Sequence, residues 1–199
     1  MIIEKETADN LKKIPGNVRG VVILSDKNYI QNRGGDEALA KAEKRLKELG
    51  CAFRFQDIKP MRYYPEYYSV LVILLAREIF ELNQKEVFEM GKSGFKLSFM
   101  MKMLTKYFSS VRRCFEESPR YWDKHFDFGE LETVECNEKD KYVIIRIKGY
   151  KFHPIMDEYH RGYFLEVASL ALGETKASIE LTKTVFNNDP YNEYIIHWK

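Results

Sequence analysis

The 199-residue chain predicts an α+β fold, in which central apolar helices pack on an antiparallel sheet made of two C-terminal hairpins. An N-terminal β-α-β-like extension precedes them. Two observations support this prediction: the middle of the chain carries apolar and aromatic residues at helical spacing, and alternating segments joined by polar turns follow residue 129. We expect one compact unit, with an extension over residues 1–60 and a ligand-binding part over residues 61–199.

The extension is predicted to contain two helices and two strands. Residues 7–14 have the spacing of a short amphipathic helix, and residues 18–24 are an apolar, largely β-branched run that predicts a buried strand. The segment from Asp36 to Leu49 is strongly amphipathic, with Asp36 as its N-cap. Residues 51–56 are interpreted as the second strand.

The middle of the chain is predicted to be helical. Residues 65–80 have almost no polar face, which is typical of a central helix. A short helix is expected at residues 87–91, and a long one from Ser98 to about Phe115. Pro119 occupies a position that suits the first turn of a further short helix.

Two hairpins and one helix are predicted for the C-terminal part. Residues 131–136 alternate between apolar and polar, and residues 142–147 return after a polar turn. Residues 154–172 have helical spacing and end at a glycine. The second hairpin joins residues 175–185 to residues 193–198.

Composition excludes several classes of function. The chain has 32 Lys and Arg against 30 Asp and Glu, so its net charge of +2 does not favour a nucleic-acid partner. The longest apolar run, residues 70–76, is too short to span a membrane. Three widely spaced cysteines and an N-terminus without an apolar leader predict a soluble protein of the reducing cytoplasm.

No familiar catalytic motif is present, so we expect no catalytic residue. Cys114 lies beside two arginines that could activate a thiol, although its helical position also suits a buried side chain. His153, Asp157 and His160 have a spacing that could place metal ligands on one helix face. An enzyme that uses Cys114 or His160 is therefore kept as an alternative.

The Met-rich and aromatic stretch at residues 99–108 suggests an adaptable apolar cavity. We predict a small lipophilic or aromatic ligand there, with no catalysis. The same residues could instead form a solid core or the seam of a homodimer, which would make the chain a scaffold. The residues expected to bind the ligand are Tyr68, Val72, Met100, Met103, Leu104, Tyr107, Trp122 and His125.

From about residue 16 to residue 198, the order of short motifs resembles the ligand-binding superfamily of NO signalling and Golgi transport. The nearest resemblance is to its vinyl-reductase-like branch, with heme-NO-binding-like and TRAPP-like folds as relatives. The motifs are Val18-Arg19-Gly20, Tyr63-Tyr64-Pro65, Glu89-Met90-Gly91, Phe126-Asp127-Phe128-Gly129, Gly162-Tyr163-Phe164 and Asn188-Asp189-Pro190.

The resemblance implies a binding or sensory domain, and its Golgi-transport members imply a dimer with a lipophilic channel. The cysteines of the vinyl-reductase-like branch correspond here to Thr184, Asn192 and a position near Asp157, which disfavours zinc. The propionate clamp Tyr-x-Ser-x-Arg of the heme sensors is not matched, because Val111 follows Tyr107-Phe108-Ser109-Ser110. We therefore expect no cofactor, neither heme nor zinc.

Overall fold

The computed structural model describes residues 2–51, 53–97, 110–173 and 175–199. It confirms the α+β class. The elements, in chain order, are α1 (Lys5–Leu11), β1 (Asn17–Arg19), α2 (Gly20–Glu48), β2 (Tyr63–Pro65), α3 (Tyr67–Phe80), α4 (Gln84–Leu97), α5 (Val111–His125), β3 (Glu130–Asn137), β4 (Tyr142–Lys148), α6 (Ile155–Leu172), β5 (Ala177–Lys183) and β6 (Asn192–Trp198).

The two C-terminal hairpins form one four-stranded antiparallel sheet in the order β3-β4-β6-β5. Strands β4 and β6 join the hairpins at its centre, where Ile145 lies opposite Tyr194. Alternate residues of β4 are fully buried, so one face of the sheet covers the core. Near the N-terminus, β1 pairs with β2 as a small antiparallel ribbon. The two strands of this ribbon come from either side of residue 60, where the sequence predicts the boundary between the extension and the ligand-binding part. That boundary stays a prediction.

The predicted strand at residues 18–24 is wrong, because β1 ends at Arg19 and α2 begins at Gly20. A short buried apolar run has no periodicity that separates a strand from a buried helix, and here the helix forms. Gly20 allows the close approach at this junction, since a Cβ there would lie 2.3 Å from the Lys59 carbonyl oxygen. Gly35, at φ 64° and ψ −160°, then kinks α2 directly before the predicted helix start at Asp36.

Two other predicted elements are corrected. Residues 51–56 form no strand among the described positions, and a single 3₁₀ turn covers Phe55–Asp57. Pro119 does not start a helix but lies inside α5. A proline there cannot donate to the carbonyl four residues earlier, and the Thr133 hydroxyl donates to that Phe115 oxygen instead, at 2.6 Å. Most of the long helix predicted from Ser98 lies outside the described residues.

The core lies between the sheet and the helices, with α3 at its centre. Every residue from Val70 to Ala76 is buried, which confirms the central apolar helix. Helices α4 and α6 cross at two glycines. A Cβ on Gly91 would lie 2.0 Å from the Tyr159 carbonyl oxygen, and one on Gly162 would lie 1.9 Å from that of Phe88. Within the described ranges, no helix combines the length and apolar character needed to cross a bilayer.

Candidate functional site

A cavity of about 80 Å³ lies inside the helical layer. Its wall is built from one side of α2, the start of α3, one residue of α4, and the facing sides of α5 and α6. Most of this wall is apolar or aromatic. The lining residues are Val21, Val22, Ser25, Glu66, Ser69, Gly94, Ser118, Tyr121, Trp122, His125, Phe126, Leu131, Met156, Tyr159, His160, Tyr163, Phe164 and Val167.

Two of the predicted ligand-binding residues, Trp122 and His125, line this cavity. Tyr68 and Val72 lie elsewhere on α3: Tyr68 stacks on Phe53 at 4.1 Å, and Val72 is a fully buried core residue. The others fall outside the described residues. They are Met100, Met103, Leu104 and Tyr107. The role of the whole set in ligand binding stays a prediction.

Position 125 offers a neutral histidine to the cavity. His125 is buried at the last turn of α5, and its Nδ1 lies 2.7 Å from the Tyr121 carbonyl oxygen. A carbonyl only accepts, so Nδ1 carries the proton and Nε2 keeps the lone pair. Burial lowers the pKa of His125, with a smaller contribution from Arg19. The ring is therefore a base or ligand rather than a cation near pH 7.

Two buried carboxyl groups beside the cavity were not anticipated from the sequence. Asp26 accepts hydrogen bonds from the Tyr159 hydroxyl at 2.6 Å and the Ser69 hydroxyl at 2.7 Å. Glu66 accepts one from the Tyr150 hydroxyl at 2.6 Å. Asp26 is the one charged residue among the buried positions of α2, and this placement is the sequence signal that could have found it.

Burial controls the charge of both acids. It raises the pKa of Asp26 to about 7, against the opposing effect of its two hydroxyl donors. It also raises the pKa of Glu66 well above the usual range, and the neighbouring Asp26 adds to that rise. This rise favours the protonated form of the Glu66 carboxyl, which can donate a hydrogen bond.

Two residues that line the cavity, Glu66 and His160, each contain a polar atom that is closed off from solvent. Glu66 Oε2 and His160 Nδ1 are buried and make no hydrogen bond in the part of the chain that the structure describes. Both residues line the cavity and both contact Tyr150, Glu66 through its hydrogen bond and His160 through an edge-on ring contact at 5.0 Å. Burial lowers the pKa of His160 to about 3, so the ring is neutral.

The chemistry considered for Cys114 and the metal ligands has little support in the geometry. Burial raises the pKa of the Cys114 thiol to about 12, which disfavours a thiolate nucleophile. His153 Nδ1 accepts a hydrogen bond from the Ile155 amide, and Asp157 binds a threonine hydroxyl. Among the described residues, no three His, Cys, Asp or Glu side chains come together as a metal site.

Two of the positions that the resemblance pairs with cysteines, Thr184 and Asp157, are in contact, and Asn192 binds the backbone of the residue after Thr184. The Thr184 hydroxyl donates to Asp157 Oδ2 at 2.7 Å, and the Val185 amide donates to Asn192 Oδ1 at 2.8 Å. These three side chains offer a carboxylate, a hydroxyl and an amide. These oxygen donors are harder than the nitrogen and sulfur ligands that zinc prefers.

The chain matches no family model, and no curated protein resembles it in sequence. It is similar to solved structures of H-NOX domains. An H-NOX protein from S. oneidensis in an Fe(II)NO state has a TM-score of 0.67 at 11% identity, covering 91% of this chain and 99% of that one. An oxygen-binding H-NOX domain related to soluble guanylate cyclases has a TM-score of 0.64 at 11% identity, covering 91% and 95%.

A third similar structure comes from a study of heme distortion in the H-NOX family, with a TM-score of 0.63 at 13% identity over 91% of this chain and 95% of that one. The prediction that the chain binds no heme is therefore wrong, because the chain shares its fold with domains that carry heme. The mismatch at the propionate clamp concerned one motif and did not test the fold.

The described side chains can be compared with what heme needs. His125, with Nδ1–H bound to a carbonyl, has the arrangement of many metal-binding histidines. The cavity of about 80 Å³ is far smaller than a porphyrin, and its described wall holds Glu66 but no Lys or Arg for the propionates. In this arrangement the residues do not fit heme. The chain shares the fold of the H-NOX domains.

Proposed function

We propose that this chain is a non-catalytic sensory domain, and that it holds a small uncharged ligand in the cavity between α2, α3, α5 and α6. The observation that carries the proposal is the cavity itself, because it is a largely apolar space within the helical layer. Interiors of folded proteins are otherwise close-packed, with few voids larger than a water molecule. A retained space of this kind is a natural ligand site.

The fold is consistent with this role. The similar structures include a domain described as oxygen-binding and a protein described in an Fe(II)NO ligation state, so proteins of this fold bind small ligands. In the present chain, the volume limits the ligand further. Benzene occupies an engineered cavity of about 150 Å³, and about 80 Å³ is available here. The predicted lipophilic or aromatic ligand thus narrows to a molecule of about three to four heavy atoms.

The finer assignments belong to the proposal as well. Membership of the vinyl-reductase-like branch and assembly as a homodimer remain predictions, and so does the alternative of a dimeric scaffold without ligand. An enzyme based on Cys114 has less support, since its thiol pKa is about 12. His160 stays neutral and buried beside the cavity, which suits binding better than proton transfer at neutral pH.

Xenon under pressure tests the cavity directly, because xenon enters apolar cavities without polar recognition. We expect one xenon atom in this cavity in crystals, and a 1:1 complex in solution. Val167 lines the wall, so Val167→Phe should remove xenon binding while the fold is retained. The absence of xenon at saturating pressure in the unmodified protein would contradict the proposal.

Expression with added heme tests whether the cavity is too small to admit a porphyrin. A purified protein that shows no Soret band and keeps its affinity for xenon would support the small ligand. A Soret band that His125→Ala removes would show that the cavity opens to a porphyrin, with His125 as its axial ligand. That result would overturn the small ligand and assign heme to this site.

A further inference from the structure

Strand β3 forms one edge of the four-stranded sheet, and a groove runs along the outer side of that edge. Within the described ranges, β3 pairs with β4 alone. The groove has a volume of about 580 Å³, and the consecutive residues 130–136 all line it. A strand that turned one face to a groove would contribute only alternate residues. The groove therefore lies against the edge of β3 and not against one of its faces.

The opposite wall of the groove is one side of α5. Arg112, Glu116 and Pro119 line it, at the spacing that places side chains on the same side of a helix. Arg112 donates a hydrogen bond across to the Cys136 carbonyl oxygen at 2.8 Å. A donor in the groove thus reaches a backbone acceptor of β3. Open strand edges with accessible main-chain groups are the surfaces to which proteins add an extended peptide as a further strand.

The charge of the groove favours a cationic strand. Four glutamates and one arginine line it. The glutamates are Glu116, Glu130, Glu132 and Glu135. Arg112, and Lys148 of β4, each pair with two glutamates, so carboxylates outnumber cations here. On the paired side of β3, Glu130 lies opposite Lys148 and Glu132 lies opposite Arg146. The strand that already neighbours β3 thus carries cations on alternate residues.

The same charges disfavour other occupants. A second copy that paired its own β3 with this one would bring glutamates close to glutamates, and like charges opposite each other destabilise a sheet. Charged side chains on an edge protect it against indiscriminate pairing. Because these side chains are mostly of one sign, they repel acidic strands and leave a cationic strand as the favoured partner.

We infer that this groove binds an extended segment of a partner protein, with Lys or Arg on alternate residues, which adds to β3 as a fifth strand of the sheet. The cations of the segment face Glu130 and Glu132, as those of β4 do. Val134, at 38% exposure, offers an apolar contact beside them. The inference goes beyond the proposed function and does not depend on what occupies the cavity.

NMR titration of the unmodified chain with a capped hexapeptide of alternating Lys and Val tests the inference. We expect saturable binding, with shift changes along β3 and at the start of α5, and an affinity that falls as salt is added. Two control peptides separate charge from backbone pairing. A peptide of alternating Glu and Val has the opposite charge, and the Lys-Val peptide with N-methylated backbone amides cannot donate to a strand edge. We expect neither control to bind.

Two variants with the same change of charge locate the site. Glu130→Lys lies on β3, and Glu180→Lys is the matched control on β5 at the other edge of the sheet. Both glutamates are exposed, so we expect both variants to fold. Affinity for the Lys-Val peptide should fall about fivefold in Glu130→Lys and stay unchanged in Glu180→Lys.

Several results would overturn the inference. They are the absence of peptide binding, equal binding of either control peptide, equal affinity in the two variants, and shift changes confined to other parts of the chain. Shift changes along β3 that appear with protein concentration alone would show that a second copy occupies the edge, and they would overturn it as well. Xenon binding measured on the same sample reports on the proposed function separately.

Discussion

Helix α6 is packed in two opposite ways on its two sides. Towards α4 it crosses at Gly91 and Gly162, where a single added carbon would lie within about 2 Å of a backbone oxygen. Towards α2, α3 and α5, its side chains His160, Phe164 and Val167 border an open cavity. The difference shows that the cavity does not arise from generally loose packing. It persists because a tight helix crossing holds one of its walls in position.

The crossing should be the least tolerant part of the molecule. A Cβ on Gly162 would lie 1.9 Å from the Phe88 carbonyl oxygen, and a backbone atom cannot move aside as a flexible side chain does. We expect Gly162→Ala to lower the free energy of unfolding by more than about 4 kcal/mol, measured by urea denaturation.

The matched control is Gly173→Ala at the end of the same helix. Gly173 has a positive φ of 62°, but a Cβ there would meet nothing within 4 Å. We expect a loss of about 1–3 kcal/mol from the backbone strain of a non-glycine residue at φ 62° and ψ −120°. Equal losses for the two variants would show that the crossing is not the rigid wall described here.

The buried acids beside the cavity make the free energy of unfolding depend on pH. Burial raises the pKa of Asp26 from 3.8 to about 7. An acid with a raised pKa stays protonated in the folded chain, so unfolding releases a proton and the free energy of unfolding falls as the pH rises from about 4 to about 7. Three pKa units correspond to up to about 4 kcal/mol.

Asp26→Asn removes this titration while keeping groups that can bind Tyr159 and Ser69. We expect the variant to lose less stability than the unmodified chain between pH 4 and pH 7, in urea denaturation at each pH. Glu66 contributes in the same direction, because its pKa is raised as well, so some slope should remain. A pH dependence identical to that of the unmodified chain would contradict the burial of a titrating Asp26.

A substitution that fills the cavity should change the free energy of unfolding least, and it should raise it where the preceding substitutions lower it. Val167→Ile adds one methylene into open space, and we expect the free energy of unfolding to rise by up to about 0.8 kcal/mol. Val70→Ile makes the same change at a fully buried position of α3 that does not line the cavity. There we expect a loss of about 1–3 kcal/mol from overpacking. Thermal melts of the two variants should therefore shift in opposite directions.

The sequence alone determined the elements whose pattern is local. Both hairpins follow from alternation and polar turns, and α6 follows from its spacing and terminal Gly173. It determined the central helix as well, because seven consecutive apolar residues cannot be solvated. Two predictions were wrong where the local pattern is ambiguous. The apolar start of α2 has a pattern that fits a strand equally well. Pro119 lies inside a helix, where the Thr133 hydroxyl bonds the carbonyl that the proline leaves without a donor.

The site was decided by the tertiary structure. Trp122 and His125, which the sequence predicts as ligand-binding residues, line the cavity, but Asp26, Glu66 and His160 are brought beside it by separate elements. Their chemistry follows from burial, which raises the pKa values of the two acids and lowers that of the histidine. Burial is set by the crossing of helices distant in sequence. The sequence thus determines which elements form, and the packing of those elements decides which polar groups are enclosed and remain uncharged.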